Sequence, residues 1–342
     1  MREGQDMKGI SKEPLLEVKN LSLGIKKGRN ILSAVDNISF TVETREIVGI
    51  VGESGCGKSL TALSIPMLLP QGAERIGGSI RFNGLELSGL SPKEIQHIRG
   101  KDLSMVFQEP QSSLNPLIKI GAQIAEPLEL HGENDRALNR KRVIDLMDSL
   151  GLSDPEKLLA VYPHQLSGGM CQRVMIALAV VCKPKLLIAD EPTTALDVTI
   201  QAQILELLKK INTTLGASIL FISHDLSVIS RLCDRVLVMY AGKLVETGMV
   251  KDVFTHPAHE YTRGLLGSIP GRDRKGKPLA SIPGKVPSLE EGRPAGCPFN
   301  PRCGKAQEYC LTEQCGSSFP VETDLGGGHK VHCVLAENSH GN

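Results

Sequence analysis

The run Gly52-Glu53-Ser54-Gly55-Cys56-Gly57-Lys58-Ser59 fits G-x-x-x-x-G-K-[ST] and follows directly on the apolar stretch Ile47-Val48-Gly49-Ile50-Val51. Glycines there let successive backbone N–H groups turn inward on phosphate oxygens. A helix beginning at Lys58 adds its positive end. In such a loop the residues from Gly52 and Ser54 through Gly55, Cys56, Gly57 and Leu60 cradle the phosphates. Lys58 reaches the β- and γ-phosphates, and the Ser59 hydroxyl meets Mg2+. A glycine-rich strand-to-helix turn without a ligand shares the pattern, but the strand and helix on either side favour a phosphate loop.

Two further strand ends carry polar groups. Leu186-Leu187-Ile188-Ala189-Asp190-Glu191 reads as a hydrophobic strand delivering two carboxylates at its C-terminal end, the edge where open α/β sheets do their ligand chemistry. Asp190 is expected beside Mg2+, through water, and Glu191 as the general base on the attacking water. By themselves they would read as a solvent-exposed acidic pair; beside a phosphate loop the metal-and-base reading is preferred. His224, in Ser223-His224-Asp225, follows another core strand and is expected at the γ-phosphate or the lytic water, against the plainer reading of a capping residue. Leu166-Ser167-Gly168-Gly169-Met170 precedes a buried helix and offers a second anion-binding surface. One nucleotide needs one cradle, so Ser167, Gly168 and Gly169 are expected to serve a nucleotide held by a second chain. The alternative is a helix start capped by Ser167.

The elements that must position these groups alternate. Strands are expected at Leu15–Val18, Val35–Val42, Ile47–Val51, Gly78–Asn83, Leu103–Phe107, Lys185–Ala189 and Ser218–Ser223, with a hairpin through Ala241-Gly242. Helices are expected at Lys58–Leu69, shortened by Pro66, at Arg136–Leu150, Gln172–Cys182 and Ile200–Ile211. This order implies a mainly parallel sheet covered on both faces. The texture changes from Ser112, where Val143, Ile144, Leu146, Met147 and Leu150 share one helix face. We read an inserted helical subdomain at about 112–172, a flexible tail at 1–13, a main domain at 14–255 and an extension at 256–342.

With 342 residues and a net charge of +1, the chain can bury two or three compact units but sets up no long-range field for nucleic acid or anionic lipid. No apolar run is long enough to span a bilayer, and the first residues lack the apolar core of a signal peptide. The expectation is a cytoplasmic chain, brought to a membrane only by other subunits. Of nine cysteines, Cys56, Cys171, Cys182 and Cys233 are spread through the body as small buried side chains, while Cys297, Cys303, Cys310, Cys315 and Cys333 crowd the extension.

Taken in order, the phosphate loop, Gln108 in Val106-Phe107-Gln108-Glu109-Pro110, the Leu166–Met170 signature, Asp190-Glu191, Ala195-Leu196-Asp197 and His224 resemble the ATP-binding subunit of an ABC transporter over nearly the whole chain. The resemblance implies an α/β P-loop NTPase core with an antiparallel β subdomain, an inserted helical subdomain and a Cys-rich extension. It implies ATP and Mg2+, the latter at Ser59, Gln108 and Asp190. Gln108 would link that site to the helical subdomain facing the membrane subunits, Ser167 and Gly169 would hold the partner's γ-phosphate, and Asp197 would bridge the dimer interface. Partners then are a second ATPase subunit, two transmembrane permease subunits and an extracytoplasmic solute-binding protein, with no nucleic acid, at the cytoplasmic face of the membrane.

His256-Pro257-Ala258-His259-Glu260-Tyr261-Thr262, Ile282-Pro283-Gly284-Lys285-Val286-Pro287 and Cys297-Pro298-Phe299-Asn300-Pro301-Arg302-Cys303 narrow the resemblance to oligopeptide, dipeptide and nickel importer ATPases. Glu260 stands where those proteins carry proline. Ile25 stands where an adenine-stacking aromatic is expected. The cysteine spacing fits neither a C-x2-C zinc ribbon nor common ferredoxin patterns. The resemblance implies an iron–sulfur cluster (4Fe–4S being one form) on Cys297, Cys303, Cys310 and Cys333, with Cys315 spare. Zinc, with His329 or His332 substituting for one cysteine, and an unmetallated tail after a Pro- and Gly-rich linker are the competing readings. The functional expectation is an ATPase powering import of peptides or a related solute such as nickel. The rivals are an ABC ATPase acting on nucleic acid or the ribosome, and an adaptor that binds nucleotide without hydrolysing it.

Overall fold

The computed structural model describes residues 13–339 apart from 195, 270–280, 293 and 310. Among these residues twelve strands run in chain order as β1 (Leu16–Lys27), β2 (Asn30–Val42), β3 (Ile47–Val51), β4 (Ala73–Phe82), β5 (Leu85–Glu86), β6 (Leu103–Val106), β7 (Leu186–Asp190), β8 (Ser218–Ser223), β9 (Arg235–Tyr240), β10 (Lys243–Met249), β11 (Thr323–Asp324) and β12 (Lys330–Val331). They form an antiparallel sheet ordered β2-β1-β4-β5 and a mixed sheet ordered β11-β12-β10-β9-β3-β8-β7-β6. In the latter, β9, β3, β8, β7 and β6 run parallel.

Every residue of β3, β7 and β8 is buried, as expected of parallel strands covered on both faces. The period of two along each strand divides the side chains between two cores. Val48, Ile50, Ile188, Leu220 and Ile222 face the antiparallel sheet, joining Leu16, Leu23, Phe40 and Phe82. Val51, Leu187, Ala189, Ile219 and Phe221 face the helices instead. The β9–β10 hairpin turns on Ala241 (φ 44°) and Gly242 (φ 84°), two consecutive left-handed residues matching the twist of the flanking strands.

The inserted subdomain is helical. Helices Ile120–Leu130 and Arg136–Ser149 bury Ile120, Ile124, Leu128, Val143 and Met147 against the Gly168–Val180 helix. Asp135 starts the second of them, its carboxylate accepting from the Ala137 and Leu138 N–H groups at 3.0 Å.

Several elements differ from expectation at their ends. The first strand runs on to Lys27, because irregular register opposite β2 and β4 keeps it paired past the polar Lys19-Asn20 pair. The helix after the phosphate loop ends at Ser64, two residues before Pro66. The buried helix begins at Gly168 rather than Gln172 because Ser167 caps it. Part of the expected linker is packed: Ile282 and Val286 rest on the helical-face core. The extension closes by adding β12 and β11 to the main sheet, with Glu246 opposite Val331. Residues 1–12 of the expected tail at 1–13 and the linker residues 270–280 lie outside the described residues, and among those described no helix is long and apolar enough to cross a membrane.

Candidate functional site

At the end of β3 the chain turns through Gly55 (φ 76°) and Gly57 (φ 105°), and Lys58 opens the helix. Gly52 has no room for a side chain: an added Cβ would lie 2.1 Å from the Met239 carbonyl oxygen. The buried Lys58 amine folds back on the loop, donating to the carbonyls of Gly52 at 2.8 Å and Glu53 at 3.0 Å. It is thereby held where phosphate oxygens would replace those carbonyls as acceptors.

Three neighbouring strand ends bring the remaining groups. Ser59 Oγ donates to Asp190 Oδ1 at 3.0 Å. Burial pushes the Asp190 carboxyl up from its ordinary range, the Ser59 hydrogen bond and Lys58 opposing it and Glu191 adding to it. Glu191 holds a left-handed backbone (φ 46°), uncommon for a side chain of its kind. Its Oε2 accepts from Thr194 Oγ1 at 2.9 Å, His224 Nδ1 at 3.1 Å and Gln108 Nε2 at 3.4 Å. Three donors on one oxygen fix the carboxylate and leave Oε1 for a further partner. Thr194 was not among the sequence candidates; its only sequence signal is its place three residues after Glu191.

Asp190 apart, these groups line one open cavity of about 780 Å³, within the range of nucleotide-sized sites. Gly52, Ser54, Gly55, Gly57, Lys58, Ser59, Leu60, Gln108, Glu191 and His224 all face it, while the Cys56 side chain is buried. Ile25 lines it too, as do Leu265 and Leu289 from the extension. The Ser167–Gly169 turn and Asp197 do not. Ser167 Oγ accepts from Met170 N–H at 3.4 Å, while Ser167 and Gly168 stay exposed. Asp197 caps the Val198–Leu215 helix, accepting from Thr199 and Ile200 N–H groups at 3.0 and 2.9 Å. The capping alternative for Ser167 is therefore realised within this chain, and Asp197, expected at a dimer interface, caps a helix too. Ala195, two residues before Asp197, lies outside the described residues.

The extension also reaches the phosphate loop. The Glu53 N–H donates to Tyr261 Oη at 2.8 Å, and Arg302 donates to both Glu53 oxygens at 2.7 and 3.2 Å. Arg302 and Tyr261 stood within motifs quoted for resemblance. Their contact with Glu53, 249 residues from Arg302, is a tertiary pairing no local spacing announces.

The cysteine group is arranged differently from expectation. Cys297, Cys303, Cys315 and Cys333 line one small cavity beside His259 and Phe299, so Cys315 joins the set rather than standing apart. Cys310 lies outside the described residues. Burial pushes the Cys297 thiol up to about 12, Cys333, Cys315 and Cys303 adding to the effect. His329 and His332 are engaged elsewhere, with Glu246 Oε1 at 2.8 Å and the Pro320 carbonyl at 2.9 Å. Among the described residues no set of three His, Cys, Asp or Glu side chains is placed to hold a metal ion, so the iron–sulfur and zinc expectations gain no support from the geometry.

A parallel sheet delivering a phosphate loop, an acidic strand end and a histidine to one edge, with an antiparallel sheet on one side and a helical insertion on the other, defines an ABC-type P-loop NTPase. The ABC transporter family model matches residues 35–194, and the model of the oligopeptide/dipeptide transporter C-terminal region matches 245–310. The chain belongs to the ABC transporter family, as an ATP-binding cassette with ATPase chemistry. It is 45% identical to the dipeptide transport ATP-binding protein DppD of Bacillus subtilis, over 95% of this chain and 96% of that one. It is 46% identical to the oligopeptide transport ATP-binding protein OppD of Haemophilus influenzae, over 94% and 98%. A solved dimeric ATP-binding cassette in a post-hydrolysis state, bound to ADP and Pi, superposes with a TM-score of 0.62 at 29% identity, covering 69% of this chain and 98% of that one.

Proposed function

We propose that this chain is the ATP-hydrolysing subunit that energises a peptide importer, with domains divided at about 14–255 and 256–342. The relatives named above, one for dipeptides and one for oligopeptides, favour peptides over nickel. The observation that carries the catalytic reading is the convergence of Lys58, Ser59 and the triply held Glu191 on one cavity, with Asp190 bonded to Ser59 behind it.

In this reading Lys58 exchanges loop carbonyls for the β- and γ-phosphates, and loop N–H groups hold the remaining oxygens. Ser59, Asp190 and Gln108 present the oxygen donors that Mg2+ prefers, and the 3.0 Å Ser59–Asp190 contact shows two of them already together. Bound there, the ion neutralises phosphate charge. Glu191 takes a proton from the attacking water, while His224 and Thr194 keep its carboxylate in place. The new P–O bond forms as the bond to the ADP leaving oxygen breaks, giving ADP and phosphate.

The Ser167–Gly169 turn, exposed at Ser167 and Gly168, does not line this chain's own cavity. That suits a composite site in which it meets the γ-phosphate on a second ATPase subunit, with Asp197 at the shared interface. Closure and reopening of that dimer would drive two permease subunits fed by a solute-binding protein, at the cytoplasmic face of the membrane. A metal on the cysteine group is proposed on the resemblance alone: four thiols line one cavity, but among the described residues no three are placed to hold an ion.

Glu191→Gln tests the assignment. Steady-state ATP hydrolysis should fall by about two to four orders of magnitude while ATP binding persists. Turnover near the wild-type rate would remove Glu191 as the base.

A further inference from the structure

The cavity around the phosphate loop is lined by apolar side chains as well as polar ones. Ile25, near the end of β1, and Ala34 in β2 belong to the ATPase core. Leu265, from the Glu260–Gly267 helix, and Leu289, from a tight turn, belong to the extension. That turn is fixed by its own reciprocal bonds, Ser288 N–H to the Glu291 carboxylate at 3.0 Å and Glu291 N–H to Ser288 Oγ at 3.3 Å. Glu290 in the same turn pairs with Lys27, two residues beyond Ile25, so the turn that carries Leu289 is tied to the end of β1.

The extension is also anchored beneath. The Arg302 side chain is only 6% exposed; besides its two bonds to Glu53 it donates to the Pro283 carbonyl at 2.7 Å and Tyr240 Oη at 3.1 Å. A bidentate pair shielded from water positions far more firmly than the exposed Lys27–Glu290 contact. Glu53 belongs to the phosphate loop, so the apolar wall and the phosphate cradle are joined through one side chain.

We propose that the C-terminal extension forms the nucleobase half of the nucleotide site: Leu265 and Leu289 close an apolar slot opposite Ile25 and Ala34 in which the base of a nucleoside triphosphate lies, and Arg302 locks that wall to the phosphate loop through Glu53. This rests on the ATP-site reading above. It explains how a site with Ile25 in place of an aromatic holds a base. A flat ring gripped on both faces by aliphatic side chains gains dispersion contacts and loses water contact without stacking.

Equilibrium titration of the full chain with a fluorescent ATP analogue, in parallel with inorganic tripolyphosphate, tests the proposal. Leu289→Ala and Leu265→Ala should each weaken the nucleotide by about 5- to 20-fold, the scale of losing a half-buried leucine contact, and leave tripolyphosphate affinity within about 2-fold. Ile25→Tyr added to Leu289→Ala should restore the affinity by stacking, an outcome a folding defect could not produce. Arg302→Gln should weaken the nucleotide by a comparable factor. Unchanged nucleotide affinity in both leucine variants, or equal losses of nucleotide and tripolyphosphate, would overturn the proposal and leave the ATP-site reading standing. A wild-type chain that binds neither ligand would overturn both.

Discussion

Glu191 shows how much is decided at a single residue. Its left-handed backbone and three donors on one oxygen hold the carboxylate in an orientation that a freely rotating glutamate would adopt only part of the time. Glycines of the phosphate loop divide by the same kind of argument. Gly52 is there for space, its missing Cβ being replaced by the Met239 carbonyl, whereas Gly55 is there for its φ of 76° in open surroundings. Gly52→Ala should therefore destabilise the chain by about 1–3 kcal/mol through a backbone clash. Gly55→Ala carries only left-handed strain, about 1 kcal/mol. Thermal melts of the two variants would order them, and an equal effect would contradict the distinction.

At the scale of elements, the helix Glu260–Gly267 depends on a buried histidine. His259 caps it, Nδ1 accepting from Tyr261 N–H at 3.1 Å, and an imidazole can accept there only while neutral. Burial lowers its pKa from 6.5 to about 4, with Glu246 opposing and His332 and Arg263 assisting. The folded chain thus protonates His259 later than the unfolded chain does as pH falls. Its contribution is complete above about pH 6.5 and is lost progressively down to about pH 4, on the order of 3 kcal/mol across the window. Chemical denaturation at a series of pH values should show this slope, and His259→Asn, which can still cap, should flatten it. The neighbouring Glu246 adds in the same direction. Burial alone would raise its carboxyl, but hydrogen bonds from His329, Ala258 and His259 hold it below the usual range. Its stabilisation is likewise lost as pH falls through that lowered value.

Across the whole molecule, the extension is part of the ATPase body rather than an appendage. It contributes two strands to the main sheet, two leucines to the cavity at the phosphate loop and an arginine to the loop itself. The thiol cavity lies within this attachment, Cys303 following Arg302 directly and Cys297 N–H bonding the Cys315 carbonyl at 2.7 Å. If metal occupies it, anaerobically purified chain should be brown and carry iron with acid-labile sulfide. Metal analysis finding stoichiometric zinc in a colourless preparation would decide for zinc, and finding neither would leave a packed group of thiols.

Residue types and local periodicity sufficed for the phosphate loop, for Asp190-Glu191 at a strand end, for His224 after its strand and for the helical face at Val143 and Met147. Each is a short-range pattern, written in a few consecutive positions because backbone geometry repeats every two or 3.6 residues. Element ends were less legible, as at β1, where cross-strand pairing carried the strand past polar residues. Only the tertiary structure joined Arg302 to Glu53, brought Leu265 and Leu289 to the same cavity as Ile25, hung three donors on Glu191 and put Cys315 among the other thiols. Those contacts link residues far apart in the chain, and such partners are chosen by how whole elements pack, which no local spacing encodes.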